Sequence, residues 1–104
     1  MSAPVPLPRA EVEAFLAKHP AWRLEGHRLV RTFEAPSFLD GITFVQHVAK
    51  LAEAADHHPD IDIRWRKVTL GFVTPDAGNQ VSALDTRLAA ECDALFAAQT
   101  KLVG

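Results

Sequence analysis

The chain has 104 residues, 48% hydrophobic and 23% charged, with a formal net charge of −2. That length supports one core, so residues 1–104 read as a single domain, and the mild acidity excludes the basic footprint of a direct nucleic-acid binder. No apolar run approaches the roughly 18 residues that span a bilayer, the start lacks the pattern of a signal peptide, and the single cysteine cannot close an internal disulfide; the expectation is a cytoplasmic protein with no membrane partner.

Residues 1–7 carry prolines without periodicity and read as a loose N-terminal tail. Pro8 suits the first turn of a helix, where its missing N–H costs nothing. Val12, Phe15 and Leu16 share one face of that helix, and His19-Pro20 ends it, with His19 a helix-end residue. Trp22, Leu24, Leu29 and Phe33 flank the polar turn Glu25-Gly26-His27, which predicts a hairpin with strands at about 21–25 and 28–35. Trp22 is assigned to the core and His27 to solvent.

Ser37 is a natural N-cap. Behind it Phe38, Ile42, Val45, Val48, Ala49, Ala52 and Ala55 recur at helical spacing, the expected inner stripe of a long second helix. Phe44 and Leu51 lie off that stripe, so the apolar surface is wider than one sheet contact needs: a broad core face or a subunit interface. His47, mid-helix, has no role in this reading.

After Pro59, the residues Ile61, Ile63 and Trp65 alternate with Asp62, Arg64 and Arg66, which predicts a strand with one buried face. Val68, Leu70 and Phe72 continue the alternation, either as a tight hairpin or as one long bent strand, because Arg66-Lys67 lacks the Gly or Asn that favoured turns want. Thr74 to Asn79 is a loop. Ser82 and Asp85 resemble a capping box with Asp in place of Glu. Leu84, Leu88, Cys92, Leu95, Gln99 and Leu102 then mark a last helix, with Cys92 a small core residue. The order α-β-β-α-β-β-α with paired short strands predicts a two-layer α+β domain: a four-stranded antiparallel sheet with three helices on one face. Its other face is polar or covered by a second subunit.

The chemistry concentrates at His57-His58-Pro59. The bland reading is that both imidazoles end the second helix, where the dipole favours each by about 0.3–1 kcal/mol. A metal site fits poorly, since neighbouring helical residues point roughly 100° apart and no third ligand lies nearby in sequence. No Gly-rich phosphate loop and no nucleophile elbow is present. General acid–base work fits: two imidazoles at one cleft can protonate a leaving hydroxyl and take a proton from the adjoining atom. A carboxylate from Glu53, Asp56 or Asp60 could hold a tautomer, and the Thr74–Asp76 loop could line the same cleft.

Glu53-x-x-x-His57-His58-Pro59 followed by Trp65 resembles the signature of the pterin-4a-carbinolamine dehydratases. Trp22-Arg23-Leu24-Glu25, Phe38, Val48-Ala49, Asp60 to Trp65, Lys67 to Leu70 and Asp76-Ala77-Gly78 extend the similarity from Pro8 to the last helix. The resemblance implies loss of water from a 4a-hydroxytetrahydropterin, giving the quinonoid dihydropterin and recycling the cofactor of aromatic amino-acid hydroxylation. It implies His58 as general acid, and His57 as a binding residue or partner base. Glu53, Asp56, Trp65, Val73, Thr74, Pro75 and Asp76 would contact substrate. It further implies no metal, no cofactor beyond the pterin substrate, and a homodimer or homotetramer. The alternative is a catalytically weak homologue acting in binding, assembly or as a dimerisation cofactor. One position departs from the family: a third histidine usually follows the threonine at the end of the fourth strand, and here Pro75 follows Thr74. Proline cannot replace an imidazole in proton transfer.

Overall fold

The two periodicities sort the chain into α1 (Arg9–Lys18), β1 (Arg23–Glu25), β2 (Arg28–Glu34), α2 (Phe38–Ala55), β3 (Asp60–Arg64), β4 (Lys67–Phe72) and α3 (Ala83–Val103), seen in a computed structural model. It describes residues 4–103, with side chains to residue 100, so Leu102's side chain lies outside the described set. The strands form one antiparallel sheet in the order β1-β2-β4-β3. The expected α+β order therefore holds, with each strand of the first hairpin slightly shorter than expected. Trp22 sits just ahead of β1 rather than in it. The tail is tied down at its end, where Leu7 N donates to Val81 O at 2.9 Å.

Register puts Leu29, Phe33, Val68, Leu70 and Phe72 on one face of the sheet, and all are buried. Val12 of α1, Phe44 and Val48 of α2, and Leu88, Ala89 and Cys92 of α3 close over them as one core. The opposite face carries Thr32 bonded to Thr69 at 2.8 Å, and Arg28 bonded to Asp60 at 2.5 Å. Arg28 crosses β4 at Gly71, where a Cβ would lie 2.9 Å from its guanidinium. At the far end of the core, Asp93 accepts from Trp22 Nε1 at 2.9 Å and Arg31 Nη1 at 2.6 Å, with His19 Nδ1 3.3 Å away. One carboxylate thus ties the end of α1, the approach to β1, strand β2 and α3 together.

Ser37 caps α2 as expected, its Oγ accepting from Asp40 N at 3.1 Å. The inner stripe of α2 is corrected, however. Phe44 is fully buried and Leu51 packs on the core, whereas Phe38 and Ala49 are exposed. The expected buried face of β3 is corrected too: all five of its residues are exposed. Ile61 and Ile63 do point to the helix side, opposite Leu70 and Val68, but β3 is an edge strand beyond the cover of the helices. Period-two alternation reports a face, not whether anything lies on it.

The alternation through Trp65-Arg66 resolves as a tight hairpin. Trp65 takes φ +54°, a left-handed conformation that costs a non-glycine residue about 1–2 kcal/mol. Offsetting contacts surround it: Arg66 stacks 4.6 Å from the indole, and its carbonyl accepts from Ala35 N at 2.9 Å. No described helix is long and apolar enough to cross a membrane.

Candidate active site

The site forms where four chain ends meet: the C-terminus of α2, the start of β3, the end of β4 and the N-terminus of α3. Helix α2 stops because Asp56 turns left-handed, at φ +50° and ψ +45°, and its N–H folds back to the carbonyls of Ala52 and Glu53. His57 N follows onto Ala52 O at 3.1 Å. The reversal throws the two imidazoles in different directions. His57 goes inward and is 8% exposed; His58 goes outward.

Each imidazole meets its own carboxylate through Nε2. His57 Nε2 lies 2.6 Å from Asp85 Oδ1, and His58 Nε2 lies 2.8 Å from Glu53 Oε1. Asp85 is 0% exposed, a placement a carboxylate tolerates only when its lone pairs are taken. They are: Oδ2 accepts from Thr74 Oγ1 at 2.6 Å and from Ser82 N at 2.8 Å. The bond from Ser82 N is one half of the expected capping box, and Ser82 Oγ supplies the other by accepting from Leu84 N at 3.2 Å. Asp85 also lies in the first turn of α3, where the helix dipole favours negative charge. The His57 ring stacks parallel to Phe72 with centroids 6.5 Å apart.

Of the three carboxylates expected to serve the histidines, Glu53 does so. Asp56 caps the helix through its backbone N–H while its carboxylate bonds neither imidazole, and Asp60 pairs with Arg28 across the sheet. The partner of His57 is Asp85, which the sequence marks only as a cap. Val73 and Thr74 carry β4 up to the site. Thr74 is 2% exposed with its hydroxyl spent on Asp85 and Ser82. Pro75 and Asp76 open a short 3-10 turn, Pro75–Ala77, and both are exposed. A bridge from Thr74 to Gln80 closes that loop. Trp65 is not brought to the site. It stands at the hairpin tip, at the opposite end of β3 from His58, roughly 16 Å along the strand at about 3.3 Å per residue.

The arrangement provides two imidazoles of unlike setting, one locked and one open to solvent, each hydrogen-bonded to its own carboxylate. Among the described residues no three His, Cys, Asp or Glu side chains are grouped so as to hold a metal ion. Cys92, buried under the site in α3, is held as a neutral thiol. Burial first, then the nearby charges of Asp93 and Glu91, push it up to about 12, which excludes it as a nucleophile at ordinary pH.

The family profile described as Pterin 4 alpha carbinolamine dehydratase matches residues 5–95. A candidate pterin-4-alpha-carbinolamine dehydratase of Roseiflexus castenholzii is 51% identical over 87 residues, covering 84% of this chain and 92% of that protein. One from Chloroflexus aurantiacus is 49% identical over 90 residues, covering 86% and 96%. Among solved structures, a transcriptional coactivator/pterin dehydratase from Brucella melitensis superposes with a TM-score of 0.82 at 25% identity, over 88% of this chain and 98% of that one. A pterin dehydratase-like protein identified as a RuBisCO assembly factor in the alpha-carboxysome superposes with a TM-score of 0.61 at 27% identity, over 72% and 88%.

Proposed function

The chain belongs to the pterin-4-alpha-carbinolamine dehydratase family, and on that premise we propose that it removes water from a 4a-hydroxytetrahydropterin by general acid–base catalysis, so restoring a pterin used in aromatic hydroxylation. The observation that carries this reading is the pair of adjacent imidazoles, His57 on Asp85 and His58 on Glu53. His58, open to solvent and bonded to Glu53, gives its proton to the 4a-hydroxyl, which leaves as water. His57 takes the proton from N5 as the C4a–N5 double bond forms. No electrons leave the pterin, and the proton count closes when the two histidines re-equilibrate with solvent. Neither step requires a metal or a second cofactor.

Pro75 stands where the resemblance to the family implies a further imidazole. If that group only positions substrate, losing its hydrogen bond slows turnover by the equivalent of about 0.5–3 kcal/mol; if it moves a proton, the loss is about 100-fold or more. Stopped-flow dehydration of synthetic 4a-hydroxytetrahydropterin tests the reading. The expected result is acceleration that vanishes in His58→Ala and grows in Pro75→His.

A second reading has its own support: two structural neighbours are named for coactivation and assembly, and this chain leaves Phe38, Leu39, Ile61, Ile63 and Trp65 exposed along α2, β3 and the hairpin tip. Such a surface suits a homodimer, a homotetramer or a protein client. Wild type without acceleration above background, together with recovery in Pro75→His, would favour that binding role.

A further inference from the structure

The hydrogen bonds around Asp85 carry a direction. Thr74 Oγ1 has one proton and gives it to Asp85 Oδ2 at 2.6 Å. The 2.7 Å contact between Thr74 Oγ1 and Ser82 Oγ is therefore donated by Ser82. Ser82 Oγ in turn accepts from Leu84 N at 3.2 Å. The chain runs one way, from an amide at the start of α3 through two hydroxyls to the carboxylate, and such chains reinforce their members. Two donors, Thr74 Oγ1 and Ser82 N, hold Oδ2, so Oδ1 is left to face His57 Nε2 at 2.6 Å. A carboxylate only accepts, so the hydrogen must sit on Nε2. His57 Nδ1 makes no hydrogen bond among the described residues. It is also absent from the buried side-chain atoms without a partner, which are Arg31 Nε, Arg66 Nε and Gln99 Oε1. That nitrogen therefore keeps some contact with solvent.

We infer that Thr74 is a positioning residue: its hydroxyl pins Asp85, fixes His57 in the Nε2–H form and leaves Nδ1 as the nitrogen that meets a ligand. The inference rests on His57 being a site residue, as proposed above, but the tautomer can be read without turnover. Thr74 also differs here from its expected role of touching substrate, because its hydroxyl is wholly committed inward.

The test is imidazole ¹⁵N spectroscopy of the full chain at about pH 8, where an ordinary imidazole is neutral, with His57 assigned by its loss in His57→Gln. Wild type is expected to show a protonated Nε2 and a bare Nδ1. Asp85→Asn is expected to invert this: Thr74 and Ser82 N hold the amide oxygen at the Oδ2 position, the amide nitrogen faces His57, and Nε2 becomes the acceptor. Thr74→Val is expected to speed solvent exchange of the Nε2 hydrogen about tenfold or more, with Thr74→Ser restoring it. A wild-type Nδ1–H form, a folded Asp85→Asn without inversion, or Thr74→Val indistinguishable from wild type would each overturn the inference. The wild-type and Asp85→Asn arms decide it even if Thr74→Val fails to fold. In the dehydration assay Thr74→Val should lower kcat about tenfold with KM little changed. An intact tautomer pattern without turnover would sink the dehydratase reading alone, and turnover with the wrong tautomer would sink this inference alone.

Discussion

His57 and His58 are neighbours in the chain, and each places Nε2 within 2.8 Å of a carboxylate, yet the two pairs are physically unlike. The side chains of His57 and Asp85 are 8% and 0% exposed, those of His58 and Glu53 56% and 78%. In the interior, little solvent screens the attraction, and every unmet hydrogen bond is costly. At the surface, water competes for both partners and the pair adds little to stability. The same two functional groups thus form a buried, hydrogen-bonded pair in one place and a solvent-exposed pair in the other. The left-handed turn at Asp56 is what separates them.

The contrast is broken most directly by Asp85→Ala. That change leaves His57 Nε2 and the Thr74 hydroxyl without their acceptor and removes half of the α3 cap, so a loss of about 3–5 kcal/mol is expected in urea unfolding. A loss under about 1 kcal/mol would erase the distinction between the two pairs. An independent gauge of how dry this interior is comes from Cys92. Its folded pKa, about 12 against an ordinary 9.0, lies above the unfolded value. The contribution is then complete below about pH 9 and is lost as pH rises towards 12, at about 1.4 kcal/mol per pH unit. Cys92→Ala should flatten that alkaline slope relative to wild type; equal slopes would mean the thiol is wetter than its burial implies. Smaller again is Thr74→Val, about 1–2 kcal/mol by thermal or urea unfolding, with Thr74→Ser closer to wild type. Smallest is Glu53→Gln on the exposed pair, where stability should move by less than about 1 kcal/mol. Equal destabilisation by Glu53→Gln and Asp85→Ala would show that burial does not set the difference.

The scaffold was legible because helices and strands write their periodicities locally. Ser37 announced a cap and Thr74 to Asn79 announced a loop, through chemistry acting within a few residues. The His57-His58-Pro59 motif was equally local. What stayed hidden was the pairing of His57 with Asp85, 28 residues on, because tertiary contact leaves no periodic trace. One signal was available: a short Asp at the capping-box position needs only one oxygen for the Ser82 amide, which leaves the other for a partner elsewhere. The apolar alternation of Ile61 and Ile63 misled for a related reason, since residue pattern does not reveal that β3 lies at a sheet edge. Trp65 misled by proximity in sequence, as an extended strand carries it away from His58.

The chain contains two tryptophans and no tyrosine, so its ultraviolet emission comes from two indoles in opposite settings. Trp22 is 3% exposed and hydrogen-bonded to Asp93, while Trp65 is 71% exposed at the hairpin tip. The first should emit at shorter wavelength and resist soluble quenchers until the core melts; the second should emit at longer wavelength and be quenched at once. Replacing either by phenylalanine separates the signals, and the chain then reports its own unfolding in one colour and the covering of its apolar surface in the other, with no added label.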